Sequence, residues 1–191
     1  MVVKKIAILF SGNGTNLQNL IEKLHGKVFD NIKIEVALTI SNKKDVYGIE
    51  RSRKFGIEPI IIENKNFNLR EEFDEELVKT IKQYEIDLVV LAGFMRILSP
   101  IFTQNVKAIN IHPSLLPLFK GAHAIKDSFH SSEKLGGVSV HFVNDELDGG
   151  EIIIQKSFEK TSNMNIDEFE EAIHKIEYDI FPKAVIKILA H

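Results

Sequence analysis

The chain has 191 residues, 44% apolar and 27% charged, with a formal net charge of -3 and no cysteine. That profile predicts one soluble domain spanning residues 1–191, long enough to bury a useful core. The small charge and the lack of any Lys/Arg block argue against nucleic acid or an anionic membrane as partner, while the missing cysteines exclude a disulfide scaffold, thiolate metal sites and a thiol nucleophile.

Ile6-Ala7-Ile8-Leu9-Phe10 is a continuous apolar run ended by Ser11-Gly12-Asn13-Gly14. Such a run predicts a strand buried on both faces, and the glycines a tight turn after it. A helix follows, with Thr15 and Gln18 at capping-box spacing and Leu17, Leu20, Ile21 and Leu24 at helical period. Strand, glycine turn and helix N-terminus together form an anion site, because backbone N–H groups converge where the helix dipole is positive. Leu17 occupies the third glycine position of a dinucleotide fingerprint, and Ser41-Asn42-Lys43-Lys44 offers no ribose-binding acid after the second strand. A single phosphate therefore suits this turn better than a pyrophosphate; the alternative is a glycine turn with no ligand.

Residues 32–40 read as the second strand, 46–55 as a helix with Gly56 at its C-cap, and 60–62 as a short third strand. Asn68 and Glu71 are spaced to cap a helix whose stripe is Phe73, Leu77, Ile81 and Tyr84. Arg70 sits in its first turn, where a cation opposes the dipole, which hints at an anionic ligand; the commoner alternative is an exposed arginine. Asp87-Leu88-Val89-Val90-Leu91-Ala92-Gly93 is the clearest buried strand. In a doubly wound sheet the first and fourth strands lie side by side where the strand order reverses, and ligands bind beyond their carboxyl ends. Residues 12–15 and 94–98 are therefore expected to line one crevice.

Ala108-Ile109-Asn110-Ile111-His112-Pro113 is an apolar strand carrying two polar residues at alternate positions, so Asn110 and His112 share one face at an end cut by proline, as a site or as two satisfied core polar groups. Residues 121–129 read as a helix and 137–143 as a partly exposed alternating strand. A turn over 145–150 then leads into Ile152-Ile153-Ile154-Gln155, making an antiparallel pair at the sheet edge. The chain closes with a helix from about Ile166 that carries Phe169, Ile173, Ile176 and Ile180, and Pro182 is read as opening a separate last piece. His112, His123, His130 and His141 lack compact metal-ligand spacing, so no metal is expected. His123 and His141 are secondary pocket candidates, while His25, His174 and His191 read as surface residues.

Four segments in this order carry a family resemblance: Ser11-Gly12-Asn13-Gly14-Thr15-Asn16-Leu17-Gln18, Leu91-Ala92-Gly93-Phe94-Met95-Arg96-Ile97-Leu98, Asn110-Ile111-His112-Pro113-Ser114-Leu115-Leu116-Pro117 and His141-Phe142-Val143-Asn144-Asp145-Glu146-Leu147-Asp148-Gly149-Gly150. Together they resemble the phosphoribosylglycinamide formyltransferases over nearly the whole chain. The resemblance implies a Rossmann-like formyltransferase fold: an α/β domain with a mostly parallel twisted sheet flanked by helices and an antiparallel edge toward the C-terminal part. It implies formyl transfer from 10-formyltetrahydrofolate to the amine of phosphoribosylglycinamide in purine biosynthesis, with no metal.

Carried over by position, the resemblance makes Asn110, His112 and Asp148 catalytic. It puts Gly14, Thr15, Asn16 and Glu177 at the ribonucleotide, and Arg70, Met95, Arg96, Ile97, Leu98, Asn110 and Val143 at the folate. Lys120 departs from the proline that many relatives carry there, which bears on the shape of loop 118–123. The expected partners are these small molecules, with the protein a cytoplasmic monomer or homodimer.

The chemistry asks for these residue types on its own account. Amine attack on a formyl carbon builds negative charge on oxygen, and a fixed donor there is typically worth about 10²- to 10³-fold in turnover. Asn110 and protonated His112 can donate, and a carboxylate at Asp148 favours the charged imidazole. Three rivals remain: a formyltetrahydrofolate hydrolase sharing the trio, a methionyl-tRNA formyltransferase, and a non-catalytic phosphoribosyl-nucleotide binding protein on the same fold. The early first strand is expected to disfavour the hydrolase, the length the tRNA enzyme, and the intact trio the binding protein.

Overall fold

The computed structural model describes residues 1–190, so the surface reading of His191 lies outside the described residues. In chain order the elements are β1 (Val2–Phe10), α1 (Thr15–Leu24), β2 (Val28–Phe29), β3 (Ile32–Ser41), α2 (Tyr47–Arg53), β4 (Ile60–Ile61) and a 3-10 turn (Asn64–Asn66). There follow α3 (Arg70–Lys82), β5 (Leu88–Leu91), α4 (Pro100–Thr103), β6 (Ala108–His112), α5 (Ala124–His130), β7 (Leu135–Phe142), β8 (Ile152–Glu159) and α6 (Ile166–Leu189). One eight-stranded sheet runs β2-β3-β1-β5-β6-β7-β8, with β4 paired to β3. The pairs β3/β1, β1/β5, β5/β6 and β3/β4 are parallel, whereas β2/β3, β6/β7 and β7/β8 are antiparallel.

The alternation of β1 explains why its run is wholly apolar. Ile6, Ile8 and Phe10 face α1 and α6, and Ala7 and Leu9 face α3, so both sides lie under helices. On β6 the same alternation turns Ile109 and Ile111 toward the α6 side. Ala108, Asn110 and His112 therefore share the α3 side, and the last two stand at the carboxyl end of the strand.

Several local expectations are corrected. Thr15 and Gln18 form no capping box: Gly14 is the N-cap in left-handed geometry, φ 78°, and the Gln18 amide bonds Glu22 instead. At α3 the cap residue is Leu69 rather than Asn68, and the Glu72 carboxylate accepts from the N–H groups of Asn68 and Leu69. Tyr84 lies beyond the end of α3 and is 36% exposed. Helix α5 starts at Ala124, later than read.

The strand β7 is buried rather than partly exposed, because α6 covers one face and loop 113–118 the other. Ser139 pins that loop by donating to the Ser114 carbonyl at 2.7 Å and accepting from the Leu116 N–H at 3.0 Å. Finally, α6 continues through Pro182 as one 24-residue helix. Proline frees the carbonyl four residues back, here that of Tyr178. Asn19 and Lys23 of α1 donate to it at 3.1 and 2.7 Å, so the lost bond is replaced.

Candidate active site

A cavity of about 350 Å³ opens beyond the carboxyl ends of β5 and β6, lined by loop 93–98, Asn110, His112, Gly121, His141 and loop 143–148. Strand order reverses at β1/β5, the place where an α/β sheet leaves room for ligands. Asp148, in left-handed geometry at φ 50°, reaches back from its turn to the end of β6.

His112 Nδ1 lies 3.5 Å from Asp148 Oδ2, with the two side chains 6% and 7% exposed. Its Nε2 is 2.8 Å from the Phe119 carbonyl oxygen. A carbonyl only accepts, so Nε2 carries a proton and Nδ1 is left facing the carboxylate. On the other side, His141 Nδ1 donates to the Phe142 carbonyl at 2.8 Å, and its Nε2 meets Asn110 Nδ2 at 3.3 Å and Asp148 Oδ1 at 3.7 Å. One imidazole thus orients the amide while a second faces the carboxylate, and Asp148 stands between them.

Burial by itself pushes the Asp148 carboxyl up, but His141, the Gly121 N–H at 2.8 Å and the charges on His112 and His141 together hold it below its ordinary value. It is therefore an anion at neutral pH, able to hold or receive a proton through its neighbours. Lys120 contributes an ion pair to Glu146, 2.6 Å, which ties loop 118–123 to the turn that carries Asp148. The departure at this position leaves the trio assembled.

The glycine turn sits on the neighbouring part of the rim. Ser11 joins the two regions: its N–H donates to the Gly93 carbonyl at 3.0 Å, and its Oγ accepts from the Met95 N–H at 2.8 Å. A Cβ at Gly14 would fall 2.6 Å from Gly48 Cα, so the start of α2 packs directly on the turn. Arg51 of α2 donates from Nε to the Asn13 carbonyl at 2.9 Å and also bonds Gln18, which brings a guanidinium to the glycine turn. Asn16 Nδ2 donates to Glu177 Oε2 at 3.0 Å, joining α1 to α6. Among the described residues, the buried Asn16 Oδ1 has no hydrogen-bond partner.

Loop 94–98 rests on α3. Phe94 stacks on Phe73 at 6.4 Å, and the fully buried Asp74 accepts from the Ser99 N–H at 2.6 Å. Burial pushes the Asp74 carboxyl up against the opposing pull of Ser99, Arg70 and Arg96. Met95 and Ile97 are 70% and 57% exposed at the mouth, Leu98 is buried, and the buried Nε of Arg96 has no partner among the described residues.

The structure thus brings Asn110, His112 and Asp148 together, sets Met95, Arg96, Ile97, Leu98 and Val143 along the same cavity, and gathers Gly14, Thr15, Asn16 and Glu177 around the turn. Arg70 is exposed, paired with Glu71 at 3.3 Å, and does not line the cavity. His141 is 3% exposed and central, where the sequence left it a secondary candidate. Its direct register opposite Asn110 is the signal, and that becomes visible only once β6 and β7 are paired. Arg51 was missed because nothing local marks a helix that packs on a distant turn. His174, read as a surface residue, is half-buried and paired with Glu177.

A family model described as Formyl transferase matches residues 4–185. The phosphoribosylglycinamide formyltransferase of Haemophilus influenzae is 39% identical over 185 residues, 96% of this chain and 86% of that one. The trifunctional purine biosynthetic protein adenosine-3 of Drosophila melanogaster is 39% identical over 188 residues, and the chain spans 14% of its length. Among solved structures, phosphoribosylglycinamide formyltransferase from Campylobacter jejuni superposes with a TM-score of 0.96 at 58% identity, with 98% of both chains covered.

Proposed function

This chain belongs to the formyl transferase family, and from that premise we propose that it moves a formyl group from 10-formyltetrahydrofolate to the amine of phosphoribosylglycinamide, a step of purine biosynthesis. The observation that carries the residue assignment is the convergence of Asn110, His112 and Asp148 on one cavity wall beside a glycine-lined anion turn.

The amine nitrogen attacks the formyl carbon and the carbonyl electrons move onto oxygen. Asn110 Nδ2, its amide oriented by His141, donates to that oxygen, and His112, its Nε2–H held by the Phe119 carbonyl, supports it from the same wall. The proton lost by the amine passes by way of Asp148 and His112 to the folate nitrogen, which leaves as the carbon–nitrogen bond breaks. Asp148 suits this relay because its environment keeps it ionised and within reach of both imidazoles.

For the ribonucleotide we assign the N–H groups of Gly14, Thr15 and Asn16 to the phosphate, with Arg51 as the nearby cation and Glu177 as acceptor for the sugar. For the folate we assign the cavity between loop 94–98 and loop 143–148, where Met95, Ile97 and Val143 give apolar contact and Arg96 Nε is a donor left for a ligand acceptor. Arg70, at the exposed start of α3, completes this set as a charge for the carboxylate end of the folate. Every residue named comes from one chain, so the reading serves a monomer or a homodimer alike. We place the reaction in the cytoplasm with the pathway it serves. Among the described residues no helix is long and apolar enough to cross a membrane.

Supplying 10-formyltetrahydrofolate with and without phosphoribosylglycinamide tests this directly. Release of tetrahydrofolate only when the amine is present is the expected result. Equal release without it would make the protein a hydrolase, and no release in either case would leave a binding protein.

A further inference from the structure

One turn before Glu177 on α6, His174 places Nδ1 2.9 Å from Glu177 Oε2. The same oxygen accepts from Asn16 Nδ2 at 3.0 Å, so it is gripped from two helices at once. The Glu177 side chain is 7% exposed against 46% for His174, whose ring stacks on that of Tyr178 at 6.2 Å. A carboxylate so far from water needs charged or hydrogen-bonding company. Among the described residues His174 is the one cationic side chain within ion-pairing distance of it.

We propose that His174 is a positioning residue for sugar binding: with Asn16 it fixes Glu177 Oε2, leaving Glu177 Oε1 and Asn16 Oδ1 to accept from the vicinal hydroxyls of a ribose phosphate. The buried, unpartnered Asn16 Oδ1 points to a ligand that donates, as sugar hydroxyls do. This inference rests on the reading that the Gly14 turn takes the ribonucleotide.

The arrangement makes nucleotide binding pH-dependent. The Glu177 hydrogen bond, opposed by burial and reinforced by the charges of Glu177 and Glu170, holds the His174 imidazole above its ordinary value. Facing the pair from α1 are the uncharged Asn16 and Asn19, and Lys23 is committed to the Tyr178 carbonyl at 2.7 Å. Because the value is raised, the grip is complete below about pH 6.5 and is lost as the pH rises through the folded value.

Steady-state kinetics of wild type, His174→Gln and Glu177→Gln from about pH 6 to about pH 9 test it. His174→Gln is expected to raise KM for phosphoribosylglycinamide about threefold to fivefold at the acid end, the scale of a half-exposed ion pair. It is also expected to abolish the alkaline rise seen in wild type, with kcat and the folate KM held. If Glu177→Gln raises that KM while His174→Gln leaves both it and its pH profile as in wild type, His174 does not position the carboxylate. If neither variant moves it, the sugar site lies elsewhere and the inference falls with that reading. Equal losses in kcat and both KM values would mark a merely structural role and overturn it as well.

Discussion

Asp148 carries the most weight in the proposed mechanism, because a single side chain lies within 3.5 to 3.7 Å of two imidazoles. Its folded carboxyl titrates below the unfolded value, so its contribution to stability is present above about pH 4 and drains only as the pH falls through the folded value. Asp148→Asn removes the anion in nearly the same volume. It should cut turnover by about 10²- to 10⁴-fold. The melting temperature should stay within about 4 °C of wild type, roughly 1 kcal/mol. Turnover and thermal melts on the same preparation check this; near-normal turnover would remove Asp148 from the mechanism. Asn110 and His112 were legible in the sequence because polar residues at alternate positions of an apolar strand need a reason to be there. His141 was not, since its place opposite Asn110 depends on a strand pairing that residue types alone do not reveal.

At the scale of elements, the glycine turn after β1 has α2 packed directly onto it. Gly14 is both left-handed and in close approach to Gly48, whereas Gly26 is left-handed with nothing near its missing Cβ. Gly26→Ala should therefore cost only backbone strain, and Gly14→Ala that strain plus a displaced α2, together about 1 to 3 kcal/mol. At about 2–4 °C per kcal/mol in a domain of this size, thermal melts of the two variants should separate, and KM for the ribonucleotide should rise in Gly14→Ala alone. Identical melts would mean that the contact with Gly48 is slack. Elements with strong hydrophobic periodicity, such as α1 and β1, were readable from sequence. Those whose limits depend on a distant donor were not: Pro182 reads as a break until Asn19 and Lys23 are found on the Tyr178 carbonyl. The caps of α1 and α3 were misplaced on local grounds, since a left-handed Gly14 takes the first and Glu72, one residue after Glu71, closes the second. A cap motif states what a helix end could use, while the tertiary fold decides what it does use.

Over the whole molecule, the two proposed sites share one rim of the sheet. Strand β1 ends in the glycine turn, β5 in the apolar loop and β6 in the polar pair, and Ser11 stitches the first to the second. The doubly wound reading predicted that adjacency, and the family resemblance supplied the Asp148 turn that closes the site. The central claim is that the amine of one substrate meets the formyl carbon of the other in front of Asn110, His112 and Asp148. A crystal structure with phosphoribosylglycinamide and a non-transferring 10-formyltetrahydrofolate analogue measures that meeting most directly. The account predicts the amine about 3 to 3.5 Å from the carbon that stands for the formyl group, with all three side chains around them. An amine held about 10 Å or more from that carbon, or a folate bound away from loop 94–98, would contradict it.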